Sequence, residues 1–166
     1  IVGHLPHGGA LGFALSGLWG NSESVIPLAV ELAYALSDLH EKGAVHGAFC
    51  LGAVCVADNH AWTWQHGLAQ AFEPGALASK ARSLRSRQPF PPEFLAFGGR
   101  PTTGTDVYAW GVTITQMISG RPDDTAAKEI ASGLGDLDSD HPLVRVLKSC
   151  LNENASARPR DAQEVV

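Results

Sequence analysis

The stretch AVHGAFCLGAVCV, residues 44–56, decides how the rest of the chain is read. It follows a helix-like segment that closes in HEKG (40–43) and it leads into an alternating apolar run. A histidine, a tight turn and a strand, in that order, have the layout of an active-site loop. Yet every side chain after His46 is apolar or absent, apart from the weakly polar thiols of Cys50 and Cys55. The layout of a reactive loop is there without the reactive groups.

Working outward, PLAVELAYALSDLHE (27–41) carries Leu28, Leu32, Leu36 and Leu39 at helical spacing, with Ala29 and Ala33 beside them. Pro27 suits a first helical position and Gly43 a left-handed stop. After the loop the period changes to two. AVCVA (53–57) and AWTWQ (61–65) alternate around DNH and predict a short hairpin. Alternation puts Trp62 and Trp64 on one face of it, with core packing as the expectation. Residues 66–104 are rich in Gly, Pro, Ser and Arg. A structureless segment that long is uncommon unless it is functional. TDVYAWGVTITQMIS (105–119) is apolar nearly all round, which places a helix at the centre of a domain, and GRP (120–122) ends it. DDTAAKEIASG (123–133) and SDHPLVRVLKSCLNEN (139–154) read as two further helices. The second has Pro142 near its first turn and Lys148 near its end. RPRDAQEVV (158–166) begins another. The fold class is mainly α, with one small hairpin and one long loop.

At 166 residues the chain is long enough for one domain with a core of its own. A net charge of −5 argues against nucleic acid as a partner. Glu31 interrupts the best apolar run, so no membrane span is expected. No signal peptide is evident, and Ile1-Val2 reads as the middle of a strand, as in an excerpt from a longer chain. Three cysteines at no metal-like spacing fit small core residues and a reducing compartment, hence a cytoplasmic location. His4 and His7 lie in a turn-rich stretch with no further ligand nearby and are expected to face solvent. Basic residues are unevenly placed. Lys42 is the only Lys or Arg before residue 80, and then Lys80, Arg82, Arg85 and Arg87 arrive together in KARSLRSRQ (80–88), among Ser79, Ser83 and Ser86.

The order of these pieces resembles the C-terminal lobe of a eukaryotic-type protein kinase. Residues 1–11 are similar to the hinge, and LHEKGAVH to the helix leading into the catalytic loop. Residues 46–53 align without gaps on the kinase loop H-R-D-L-x-x-x-N. QHGLA (65–69) aligns on D-F-G-L-A, PPE (91–93) on A-P-E, DVYAWGV (106–112) on the start of the central helix and ARP (157–159) on the arginine-proline before the last helix. The resemblance implies one kinase-like C-lobe over 1–166. Within it, 44–65 is the catalytic-loop-like segment and hairpin, 65–93 the activation-segment-like loop and 105–166 the helical subdomain. The N-lobe is not in this chain.

Position by position, the resemblance implies a dead site. The aspartate that takes the substrate hydroxyl's proton is Ala48, the loop lysine is Cys50, the magnesium-binding asparagine is Ala53 and the D-F-G aspartate is Gln65. Gly47 replaces the loop arginine and His66 the D-F-G phenylalanine, where a partly buried spacer is expected. Alanine neither accepts a proton nor binds a cation, and a neutral amide is a poor ligand for magnesium. The supporting residues are retained. Glu93 and Arg158 match a buried ion pair, Asp106 the aspartate that bonds the loop backbone, His46 the histidine that packs it, Gly67 the glycine of D-F-G, and Gly111 allows close helix packing.

The expectation is a catalytically inactive pseudokinase domain that serves as a scaffold or regulatory protein-binding module, with no cofactor. A protein partner would be met through the long loop, with Lys80, Arg82, Arg85 and Arg87 as a strip for acidic or phosphorylated groups, and through the central helix. The alternative is a phosphotransferase or ATP-binding domain completed by an N-lobe upstream, which would bring ATP and magnesium with it.

Overall fold

The computed structural model describes residues 20–64, 66–67, 90–97, 100–121 and 134–166. The lead-in 1–11, Gln65, the basic strip 80–88 and the expected helix 123–133 lie outside the described residues.

Helix α1, Ser22–Glu41, begins earlier than the sequence pattern predicts. Its cap is Asn21, whose side chain accepts a hydrogen bond from the Ser24 N–H at 3.2 Å, and Pro27 lies inside the helix rather than at its start. An asparagine cap satisfies one of the donors that every helix start leaves unpaired, and it sets the boundary five residues before the proline. The apolar stripe of Val25, Leu28, Ala29, Leu32, Ala33 and Leu36 is fully or almost fully buried. Gly43, at φ 70°, ends the helix in the left-handed conformation.

A 3-10 turn, Leu51–Ala53, leads into strand β1 (Val54–Ala57), which pairs antiparallel with β2 (His60–Thr63). Ala57 faces His60, so the connection is the two-residue Asp58-Asn59 turn rather than a three-residue one. Both turn residues have positive φ, 50° and 62°. Asp and Asn tolerate that region best after glycine, and two such residues match the twist of a tight hairpin. The sheet leans on α1. Glu31 accepts from the Ala61 N–H at 2.6 Å and bonds the His60 ring at 2.8 Å. Trp62 is half-buried, while Trp64, just past the strand, is 40% exposed and donates its indole N–H to the Gly52 carbonyl at 3.0 Å. The pair does not pack into the core as expected, because this sheet has only two four-residue strands.

Helix α2 spans Pro92–Phe97. Helix α3, Thr103–Ser119, opens on a reciprocal box between Thr102 and Thr105 and closes at Gly120, φ 69°. From Thr105 to Ile118 every residue but the half-buried Tyr108 is buried, which is the outcome that its all-round apolar sequence predicts. Its polar side chains turn inward on the backbone: Thr113 and Thr115 donate to carbonyls four residues back, at 2.7 Å each. Helix α4, Pro142–Cys150, is shorter than predicted. His141 caps it by accepting the Leu143 N–H, Pro142 stands in its first turn and Lys148 in its last. A 3-10 turn at Ala162–Glu164, capped by Asp161, stands in place of a last helix.

The core lies where α1, α3 and α4 meet. A Cβ added at Gly111 on α3 would come within 3.0 Å of Cys150 Cβ and 3.2 Å of Leu151 Cδ2. The three cysteines are free; Cys150 is buried, which pushes its thiol up to about 12, and Cys50 and Cys55 are half-buried. No helix among the described residues is long and apolar enough to cross a membrane. A Gly111→Val substitution forces a branched side chain between α3 and α4 and is expected to cost about 1–3 kcal/mol, measured as a shift in the denaturant midpoint.

Candidate functional site

The loop 44–53 is shaped by one carboxylate. Asp106 stands in the first turn of α3, fully buried, near the positive end of that helix. Its Oδ2 accepts the His46 N–H at 2.7 Å and its Oδ1 the Gly47 N–H at 2.8 Å. A third donor is His40, whose Nε2 lies 3.1 Å from Oδ2. The other ring nitrogen, Nδ1, receives the Ala162 N–H at 3.0 Å. A nitrogen that accepts carries no proton, so His40 is the neutral tautomer with its proton on Nε2, donated to Asp106. Glycine at 47 makes the bend possible, since its φ is 76°.

His46 is fully buried under the loop. Its ring meets Phe49 edge-on at 5.4 Å and His66 edge-on at 4.9 Å, and its carbonyl accepts the Gly67 N–H at 3.0 Å. Nδ1 faces the Ala48 N–H at 3.4 Å, while Nε2 has no hydrogen-bond partner among the described residues. Burial lowers the pKa of His46 below the ordinary histidine value; Asp106 opposes the shift and His66 adds to it. His66 is itself exposed, with Nε2 in a short contact with the Thr63 hydroxyl, so it is not the partly buried spacer expected.

The positions that would do chemistry are lined differently. Ala53 is completely buried and Ala48 half-buried. Cys50 is half-buried, and burial raises its thiol pKa, so it is a neutral thiol at neutral pH. No cluster of three or more His, Cys, Asp or Glu that could hold a metal ion is found among the described residues. Magnesium needs carboxylate and phosphate oxygens, and two methyl groups and a protonated thiol do not fit it. Gln65, Lys80, Arg82, Arg85 and Arg87 lie outside the described residues, as do His4, His7 and the serines of the strip.

A second support joins α2 to the C-terminal segment. Arg158 holds Glu93 through both guanidinium arms, at 2.6 and 3.0 Å. It also donates to the carbonyls of Asn152 and Glu153 and stacks 4.8 Å over the Tyr108 ring. The arginine side chain is 1% exposed and the glutamate 37%, so the pair is open on one side rather than buried throughout. Burial alone would raise the Glu93 pKa, but the hydrogen bonds and charge of Arg158 outweigh it and hold the carboxyl below its usual range.

With this geometry in view, the sequence has recognisable relatives. No protein-family model matches the chain. Serine/threonine-protein kinase pkn2 of Myxococcus xanthus is 26% identical over 161 residues, which cover 84% of this chain and 19% of that protein. Probable serine/threonine-protein kinase PBL18 of Arabidopsis thaliana is 32% identical over 97 residues, 57% of this chain and 25% of that protein. The relationship is protein-kinase-like. The aligned part of the chain spans about a fifth of the first kinase and a quarter of the second.

Three residues of this region do not stand out in the sequence alone. His40 could have been found as the continuation of the buried stripe, four residues after Leu36. Phe49 is the one large apolar side chain between His46 and Leu51. Glu31 shows only as a charge breaking an apolar run, and its bond to the hairpin needs the fold.

Asp106→Ala leaves the loop N–H groups without their acceptor. It is expected to cost about 3 kcal/mol or more, read by chemical denaturation, with loss of amide-exchange protection at His46 and Gly47. Stability should also fall in two stages on acidification. His46 has a lowered folded pKa, so its contribution is complete above about pH 6.5 and lost as pH falls below that. Glu93, also lowered, contributes fully above about pH 4.3 and loses this as pH falls through its folded value. A pH series of denaturant midpoints for His46→Asn should shrink the first stage and keep the second.

Proposed function

We propose that this chain is a catalytically inactive, protein-kinase-related domain that works as a scaffold or regulatory protein-binding module. The observation that carries the reading is the contrast within one loop. Asp106, His40 and His46 fix its backbone, while the positions aligned with the kinase base, lysine and metal ligand are Ala48, Cys50 and Ala53. Phosphoryl transfer is almost wholly positioning plus neutralisation of phosphate charge. The loop keeps the positioning and has no group for the neutralisation. Gln65 in place of the D-F-G aspartate points the same way. In this reading the domain uses neither ATP nor magnesium. The strip Lys80, Arg82, Arg85 and Arg87 is a docking element for acidic or phosphorylated protein groups.

One observation favours a second reading. Both relatives carry the name of serine/threonine-protein kinase, and this chain matches only a fraction of each. In that reading an N-lobe upstream supplies nucleotide binding, and the domain transfers phosphate by a route that bypasses Ala48.

Calorimetric titration of ATP into the full natural polypeptide, with and without magnesium, separates the two. The scaffold reading expects no binding at millimolar ATP and no phosphate transfer to a generic protein substrate. Micromolar binding that tightens with magnesium, together with transfer, would overturn it.

A further inference from the structure

The outer face of α1 is the only place among the described residues where large apolar side chains stand exposed on successive turns of a helix. Val30 is 48% and Tyr34 56% exposed. Four residues apart, they lie one above the other, about 6 Å along the axis. Pro27, also exposed, continues the strip by one turn. Its ring removes the N–H that would bond the Glu23 carbonyl, so that carbonyl lacks its ladder donor. The opposite face of the helix belongs to the core, whereas among the described residues Val30 and Tyr34 are neither in the core nor packed against it.

The strip is framed by negative charge. Glu23 lies before it, Asp38 and Glu41 after it, and Asp58 at the tip of the neighbouring hairpin, all exposed. From residue 20 to 67 the acidic side chains are Glu23, Glu31, Asp38, Glu41 and Asp58, and the only Lys or Arg is Lys42. Glu31 is already engaged by His60 and Ala61. An apolar centre with a rim of one sign is how an interface selects a partner by charge while drawing affinity from the centre.

We propose that this face docks a basic protein segment that carries apolar side chains. Charge decides among the occupants. Anionic lipid and nucleic acid meet like charge at the rim. A second copy, joined face to face about a two-fold axis, would set acidic rim against acidic rim. A Lys- or Arg-bearing segment is complementary at every rim position, and its aliphatic or aromatic residues cover Val30 and Tyr34. The proposal does not depend on whether the loop catalyses, so it survives or fails separately from the scaffold reading.

The test is selection from a random peptide library on the full natural polypeptide, followed by fluorescence anisotropy with the recovered peptides. Recovered sequences should combine Lys or Arg with large apolar residues, and their binding should weaken as salt rises. Binding should weaken ~10-fold or more in a Val30→Ser/Tyr34→Ser variant. It should also weaken in Asp38→Lys/Glu41→Lys, which leaves the apolar strip intact. All four positions are outside the core, so the unfolding midpoint serves as the control for folding. The proposal is overturned if the recovered peptides are acidic or neutral, if they bind both variants as tightly as the natural protein, or if no peptide is recovered. A dimer in sedimentation that Val30→Ser/Tyr34→Ser makes monomeric would also overturn it, by giving the face to a second copy.

Discussion

Everything near the loop depends on the desolvated carboxylate of Asp106. A buried aspartate is costly unless each oxygen is met by donors, and here two backbone N–H groups and a neutral imidazole meet them. The constraint runs both ways. The loop must turn at Gly47 to present its N–H groups, and His40 must keep its proton on Nε2, which the Ala162 N–H enforces from the opposite side. One side chain of α3 therefore couples the end of α1, the loop and the last turn of the chain. Arg158 does comparable work further out, tying α2 to the segment after α4 while resting on Tyr108.

This arrangement explains how a loop can keep its path largely independently of the side chains at its partly exposed positions. Among the described residues, the bonds that hold the His46–Gly47 bend run through Asp106 and the backbone, not through the side chains of residues 48, 50 and 53; the Cys50 thiol interacts only locally, with the Gly52 and Ala53 N–H groups. Ala53 anchors by its backbone, accepting the Trp64 N–H, and its methyl is buried. Half-buried Ala48 can change at little cost to folding, whereas a larger side chain at the fully buried Ala53 would overpack its site, and Asp106, His40 and Gly47 are fixed by their bonds or backbone.

Much of this was legible in the residues. The period of α1, the all-round apolar α3 and the hairpin alternation reflect burial, and burial is written directly in side-chain type. The boundaries were less so. Asn21 outranked Pro27 as a helix start, because a capping side chain counts for more than a compatible φ. The hairpin turn was one residue shorter than DNH suggested, because Asp58 and Asn59 could both take left-handed φ. The tryptophans misled for another reason: alternation assigns a face, but whether that face is covered depends on how many strands the sheet has. His40 and Glu31 were hidden because their partners lie 66 and 29 residues away.

The reach of these bonds has a consequence for the order in which the molecule assembles. His46 and Asp106 are 60 residues apart, Glu93 and Arg158 65, Ser22 and Asp136 114, His40 and Ala162 122. Closing contacts that distant costs chain entropy before any of them is rewarded, so a domain held this way folds slowly for its size. Helix α1 and the hairpin are local and can form early. The loop between them has short-range bonds at its ends, such as Ala44 N–H to Leu39 and Ala53 N–H to Cys50, but its bend at His46 and Gly47 must wait for α3, and its tautomer lock waits for the last turn. The segment that most resembles an active site is thus among the last to take shape.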